Sequence, residues 1–519
     1  MSSHRFSTVF VAAIAAAAPA CQRTSSTRPE LAPSRSSSAP VPAEEETTSA
    51  RGPSDEDLRQ AVERQLAKHT AIPAGAVRVT SRAGIVELTG SVDNLLDQAR
   101  AARVAEAVRG VRSVSNRVEV NPPARTDREI ENAVRSALLF NAAADGYELD
   151  VRVTQGTVML SGRVESWHER QLAERLAKGV PGVRAVRNTI EMKIVSRPDA
   201  EIARDVQSRL RWDVLVDDGA IDVAVRDGEV NLSGYVGSAT ERTRAHYDAW
   251  VRGARAVDSS QLEVRWWAND RELRRDKYAV KSDSEIAAAI RDAIFYDPRV
   301  DSFDVQVTVT GGNVRLAGTV DNAKARAAAE AIARHTVGVT AVQNDVNVSP
   351  ASPIPDATLR ERISNALLAN PLTDEYQIQV TVEGGGVTLR GNVESSFESA
   401  EAADVASGVA GVKIVDNQLR VEDARGYVYY GSLDPYGAYV QQRYYVGGSP
   451  ARSDATIAAE IAREMIWSPF VDADQVKVEV VNGKATLTGT VDTLREREAA
   501  TENAFEGGAS IVVNQLDVS

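Results

Sequence analysis

The sequence predicts an α+β protein built as a tandem array of six small α-β-β-α-β domains, each a helix pair on a three-stranded sheet. Three observations predict it. The stretch Val-Met-Leu-Ser-Gly-Arg-Val at 158–164 recurs six times in altered form, with its glycine at Gly90, Gly162, Gly234, Gly318, Gly391 and Gly489. A stripe of apolar residues four apart stands ahead of each glycine. Short alternating apolar runs lie on either side of a turn just before it. A fixed unit repeated with occasional insertions marks an array of one domain rather than one large fold.

The elements follow in chain order. Each unit opens on a helical stripe: Leu58, Val62, Leu66; Ile130, Val134, Leu138; Ile202, Val206, Leu210; Ile286, Ile290, Ile294; Leu359, Ile363, Leu367; Ile457, Ile461, Met465. Spacing of four keeps these side chains on one face of an amphipathic helix. Two alternating strands come next, as in Val223, Val225 then Val230, Leu232. The dipeptides Asp227-Gly228, Gly311-Gly312 and Asn482-Gly483 supply the positive φ that tight hairpins need. After the recurring glycine, Asp93, Ser166, Ser238, Asp321, Ser395 and Asp492 are expected to cap a second helix. Gly110, Gly182, Gly338 and Gly411 are expected to stop that helix. A third apolar alternation, from Val118 and Val120 in the first unit to Leu516 and Val518 in the last, closes each sheet.

The order helix, strand, turn, V-x-L-x-G-x-V, helix, G-V, then V-x-N before a last strand resembles the BON domain. That family is named after an osmotically induced periplasmic protein and nodulation proteins. The asparagine stands at Asn116, Asn188, Asn344, Asn417 and Asn514 and is expected to bond backbone at a turn. The resemblance covers 54–121, 126–195, 198–266, 282–349, 356–422 and 453–519. The third copy departs from it, with Gly253-Ala254 for Gly-Val and Ser259-Ser260 where asparagine is expected, which puts its closing strand in question. The resemblance implies an envelope location, a role in envelope integrity or the osmotic stress response, and association with phospholipid. It implies no catalytic residues.

Composition bounds the chemistry. A net charge of −13 over 519 residues argues against non-specific nucleic-acid binding, which needs a basic surface. The single cysteine, Cys21, allows neither an intrachain disulfide nor a cysteine-based zinc site. No nucleophile–base arrangement, cofactor motif or metal-ligand spacing is present, so the expectation is a protein that is not an enzyme and takes no cofactor or metal. Residues 1–20 read as a signal peptide, with Arg5 ahead of an apolar run too short to span a bilayer. Ala18-Pro19-Ala20-Cys21 resembles a lipoprotein cleavage site, with alanine at the position that usually holds leucine. Cys21 is therefore expected to be lipidated, placing the protein in the periplasm on the outer membrane. The Ser- and Pro-rich stretch 21–53 reads as a disordered tether.

Two segments differ in composition from the repeats. Residues 267–281 form a basic linker; Trp266 and Trp267 precede Arg271, Arg274 and Arg275, a set suited to a lipid headgroup layer. The competing and simpler reading is a linker helix whose tryptophans pack on the third or fourth repeat. Residues 423–452 hold seven of the thirteen tyrosines, and either drape over neighbouring repeats or bind a partner. His168-Glu169 reads as a solvated helix start, and Gly384-Gly385-Gly386 as a hairpin turn. The first two repeats are near neutral and the last two strongly acidic. Contact with anionic lipid is therefore expected at the N-terminal repeats, with the acidic ones extending away. The alternative is a periplasmic scaffold that binds envelope proteins through sheet edges or the tyrosine-rich insert.

Overall fold

The computed structural model describes residues 52–518, except 69–71, 73–74, 142–143, 145–147, 270–276, 301–304, 351, 371–372, 374–376 and 424–451. Cys21, Arg271, Arg274, Arg275, the signal peptide, the tether and nearly all of the tyrosine-rich insert lie outside the described residues. Six units are seen, each a small sheet with two helices; five sheets are three-stranded, and in repeat 2 the closing strand is broken into Ala185–Asn188 and Glu191–Met192.

Repeat 4 shows how the sequence makes the unit. Ser282 and Glu285 form a reciprocal capping box at the start of the helix Asp283–Tyr296, satisfying backbone N–H groups that the first turn leaves open. Its stripe, Ile286, Ile290 and Ile294, is buried. The hairpin strands Val305–Thr310 and Asn313–Val320 pair antiparallel around Gly311-Gly312, both at positive φ. The second helix, Ala323–Arg334, then returns the chain, and Ala341–Val348 adds parallel to the second strand. The hairpin's second strand is thus central. Val314, Leu316 and Val320 from it meet Ala325, Ala328, Ala329 and Ala333 of the second helix. Alanine there lets the helix lie close to the sheet. The opposite face carries exposed Gln306, Thr308 and Arg315, as alternation in a half-covered sheet requires.

Two expectations about the unit need correction. The second helix is capped by Asn94, Asn322 and Thr493, one residue beyond Asp93, Asp321 and Asp492. The later residue is the one whose oxygen reaches the N–H three positions on, as Asn94 does to Asp97 at 2.9 Å. Ser166 and Ser238 cap as expected. The asparagine lies within the third strand or at its break rather than at a turn ahead of it. Its amide donates to a second-helix carbonyl, at 2.7 Å for Asn116 to Gln98 and 3.0 Å for Asn344 to Arg326. Its oxygen accepts the N–H two residues on. The asparagine therefore pins strand to helix, and bonds of the same kind recur at Asn188, Asn417 and Asn514.

Repeat 3 closes its sheet without that asparagine. The strand Ala256–Val264 runs parallel to the central strand with a register shift between Asp258 and Gln261. His246 of the second helix takes over the pinning. Its Nε2 accepts from the Trp250 indole at 3.2 Å, which leaves Nδ1 to donate to Ser259 Oγ, also at 3.2 Å.

The six repeats form one compact unit, so the acidic ones do not extend away from the first. In the five repeats where those side chains are described, the second helix packs against another repeat. Leu95 of repeat 1 joins the core of repeat 2, and Leu96 lies against Gly179. Trp167 of repeat 2 stacks on Trp250 of repeat 3, with ring centroids 5.2 Å apart. Thr243 of repeat 3 reaches Glu106 of repeat 1, closing a ring of three. In the C-terminal half Ala323 of repeat 4 enters the core of repeat 5, and Leu494 of repeat 6 enters that of repeat 4.

The two trios also meet in pairs. The Val337 N–H donates to the Trp212 carbonyl, joining repeats 4 and 3. At the equivalent place the Arg109 N–H donates to the Trp467 carbonyl, joining repeats 1 and 6, and both bonds are 3.0 Å. The first helices of repeats 2 and 5 pack together. The closed ring of repeats 1–3, the two like junctions of repeats 4–6 and the paired contacts between trios follow the pattern of dihedral symmetry, here met inside one chain.

Candidate functional site

The sequence-predicted membrane residues divide. Trp266 and Trp267 lie in a short 3-10 turn, Trp266–Asn269, directly after the closing strand of repeat 3. Trp266 turns inward, with the Arg109 guanidinium of repeat 1 over its ring at 4.4 Å. Trp267 is 51% exposed and sits 5.1 Å from Tyr235, itself on the outer sheet face of repeat 3. Arg265 lies over Tyr235 at 6.0 Å and pairs with Glu263. Trp267, Tyr235 and Arg265 thus make one exposed aromatic–cation patch. Lys277, counted among the basic residues of the linker, is buried instead. Its ammonium donates to the carbonyls of Leu210 and Val216, at the tail of the first helix of repeat 3.

His168 is not at a solvated helix start. It is buried between repeats 2 and 3, edge-on to Tyr247 at 4.4 Å, with Nε2 3.3 Å from the Tyr247 carbonyl. Burial, with Arg209 adding like charge, holds its imidazole down to about 3, so it is neutral at ordinary pH. Glu169 accepts the Glu165 N–H at 2.9 Å and serves the helix cap.

A cavity of about 60 Å³ lies between repeats 3 and 4, lined by charged groups including Arg209, Asp213, Arg244, Asp248 and His335. Arg244 bonds Asp213 at 2.5 Å, and Arg209 pairs with Asp248 at 3.1 Å. Burial pushes the Asp248 carboxyl upward, and the adjacent Arg244 and its other partners hold Asp213 down despite its burial. Buried charges of this kind survive only when paired. Both ion pairs lie within repeat 3; the seam to repeat 4 is crossed by the Arg209 guanidinium over the Tyr296 ring at 5.1 Å and by the backbone bridge between Asp213 and Thr336.

Sequence reasoning missed a recurrent carboxylate clip. The first residue of each first helix accepts both turn N–H groups of its own hairpin: Asp55 from Ala83 and Gly84, Asp127 from Gln155 and Gly156, Asp199 from Asp227 and Gly228. Asp283, Asp356 and Asp454 repeat it. These bonds hold the Asp55 and Asp283 carboxyls below their ordinary range. The signal was an aspartate at constant distance ahead of every turn. Gly384-Gly385 is one of these clipped turns.

Among the described residues, no group of three or more His, Cys, Asp or Glu side chains is placed to hold a metal, and no helix is long and apolar enough to cross a membrane. Polar side chains in the interior cap helices, clip turns and lock seams. Such a fold defines a class: a repeat protein of small α+β domains whose sheets each present one face outward.

The chain belongs to the BON domain family. The family profile matches 54–122, 126–194, 198–265, 282–350, 355–423 and 453–519. Osmotically-inducible protein Y of Escherichia coli is 29% identical over 146 residues, covering 27% of this chain and 73% of that protein. Outer membrane lipoprotein DolP of Haemophilus influenzae is 32% identical over 142 residues, covering 26% of this chain and 66% of that protein. A solved structure of CdsD, a structural protein of the type III secretion system of Chlamydia trachomatis, is 20% identical and covers 39% of this chain and 90% of its own. Its TM-score of 0.12 is too low to carry an argument.

Proposed function

We propose that this is a non-enzymatic envelope protein whose six-repeat unit associates with phospholipid membrane, in support of envelope integrity or the response to osmotic stress. The supporting observation is the exposed patch of Trp267, Tyr235 and Arg265. An indole and a phenol beside a guanidinium suit the headgroup layer, where an apolar ring and a cation are both satisfied. The names of the relatives, one osmotically inducible and one an outer membrane lipoprotein, favour the same setting. Lipidation at Cys21 would hold the unit in the periplasm at the outer membrane. Arg271, Arg274 and Arg275 would extend the patch toward anionic lipid.

Flotation with anionic vesicles tests this on the mature chain carrying Cys21→Ser, so that no acyl chain contributes. Binding that weakens with salt and falls severalfold in Trp267→Ser with Tyr235→Ser is the expected result. Equal flotation of the variant removes the patch from the reading, and no flotation at all removes direct lipid contact. The scaffold reading rests on a different observation: no described sheet pairs with another, so each sheet keeps its own edge strands. Capture of envelope proteins by a chain that does not float would favour it.

A further inference from the structure

Within the second helices, one position looks across to the other half of the molecule. It stands five residues beyond the carbonyl that the strand asparagine holds: Arg103 and Arg175 in repeats 1 and 2, Asp404 and Glu502 in repeats 5 and 6. Two residues beyond that carbonyl the same contrast appears, with Arg100 in repeat 1 and Glu401 in repeat 5. Arg175, Glu401 and Asp404 line one cavity of about 100 Å³ with Lys324, where repeats 1, 2, 4 and 5 converge. At the seam between repeats 1 and 6, Lys68 lies 2.6 Å from Glu464 and 3.8 Å from Glu506.

Each side carries an excess of one sign at this face, although within the acidic trio Lys324 pairs with Asp404 at 2.7 Å and Arg495 with Glu502 at 3.1 Å. Burial pulls the Arg103 and Arg175 guanidiniums down to about 10, Arg100 and Arg103 adding repulsion, while Glu401 opposes it in both cases. Opposite them, burial with Glu498 and Glu506 nearby pushes the Glu502 carboxyl up to about 8 against the pull of Arg495, so the negative charge of that face rests on Glu401, Asp404 and Glu464. Asp97 is an acid on the arginine side, held by Arg100 at 2.8 Å and by the Asn94 amide at 2.7 Å. A second N-terminal trio docked where the C-terminal trio sits would bring arginine onto arginine, with Asp97 and Glu106 already engaged by Arg100, Arg103 and Arg242 of their own trio.

We infer that repeats 1–3 and repeats 4–6 are charge-coded docking partners: each trio fits the other and rejects a copy of itself. Like-charge juxtaposition at a buried interface is a strong means of excluding wrong pairings. The apparent charge imbalance between the halves of the sequence is then partly a recognition code, spent inside the molecule.

The test keeps the full chain. A protease site is placed within 270–276, between the trios, and the folded protein is nicked. The wild-type fragments are expected to co-elute as one species of unchanged size at moderate salt. Arg103→Glu with Arg175→Glu should lower affinity between the nicked halves at least about tenfold. Adding Glu401→Arg with Asp404→Arg should restore co-elution. Separation of the nicked wild-type halves, pairing of either half with itself, or a reversed variant that elutes as the wild type does across a salt series would each overturn the inference. If circular dichroism shows that the double reversal fails to fold before nicking, Arg175→Gln takes its place. The nicked Arg175→Gln protein must then part at lower salt than the wild type, and an unchanged salt midpoint counts against the code.

Discussion

The stacked pair Trp167 and Trp250 offers the sharpest measurement of how repeats hold one another. The two rings belong to neighbouring domains, lie 4° from parallel, and are each half-buried. Replacing a fully buried tryptophan by alanine costs about 3–5 kcal/mol, so a half-buried one should cost roughly 2. Trp250→Ala also loses the indole bond to His246, adding about 1 kcal/mol. The stacking itself should appear as a coupling of about 1 kcal/mol in a double-mutant cycle. The double variant should then be about 4 kcal/mol less stable than the wild type, rather than the roughly 5 that the single losses sum to. Urea unfolding of the full chain, followed by far-ultraviolet circular dichroism, gives the four stabilities. The slopes must be compared, since a change in slope reports lost cooperativity between repeats. A coupling indistinguishable from zero with unchanged slopes would refute the claim that this contact joins the second helices of repeats 2 and 3.

Two further outcomes follow from single groups. Asn344→Ala removes two donated bonds, to the Arg326 carbonyl and to Glu330, and one accepted from the Val346 N–H. A loss of about 2–3 kcal/mol is expected, and hydrogen exchange should rise along Ala341–Val348; protection equal to wild type would contradict the pinning role. Glu502 is raised from its ordinary 4.5 to about 8, so its contribution is fully present below pH 4.5 and lost as pH rises through 8. Between those limits Glu502→Gln should flatten the fall of stability with pH by at most about 1.4 kcal/mol per unit, seen in thermal melts from pH 5 to 8. Parallel profiles for variant and wild type would show that the carboxyl is not buried.

Local structure was legible because its causes are local. The apolar stripe, the Asp227-Gly228 and Gly311-Gly312 turns and the alternation of Val314, Leu316 and Val320 each state their own geometry. Capping was misread by one residue at Asp93, Asp321 and Asp492, because neighbouring Asn and Thr also cap and only the backbone decides which reaches the third N–H. The candidate site was less legible. Trp266 and Trp267 are adjacent in sequence and look alike there. Only the position of Arg109, in another repeat, separates the inward ring from the exposed one. His168 was misjudged for the same reason, since Tyr247 and Trp250 lie across a seam that no spacing within one repeat announces.

Repeat 1 touches repeats 2, 3 and 6, and that closure bears on how such a chain can change over generations. An open solenoid gains or loses a unit at its end by exposing one more or one fewer interface. Here removal of the last repeat would strip Trp467 from the repeat 1 core, Leu494 from the repeat 4 core and Glu464 from Lys68 at once. Copy number is therefore locked, and divergence is driven into the units themselves. Repeat 3 carries that mark: it kept its place in the ring while exchanging the family's asparagine for a histidine on the facing helix.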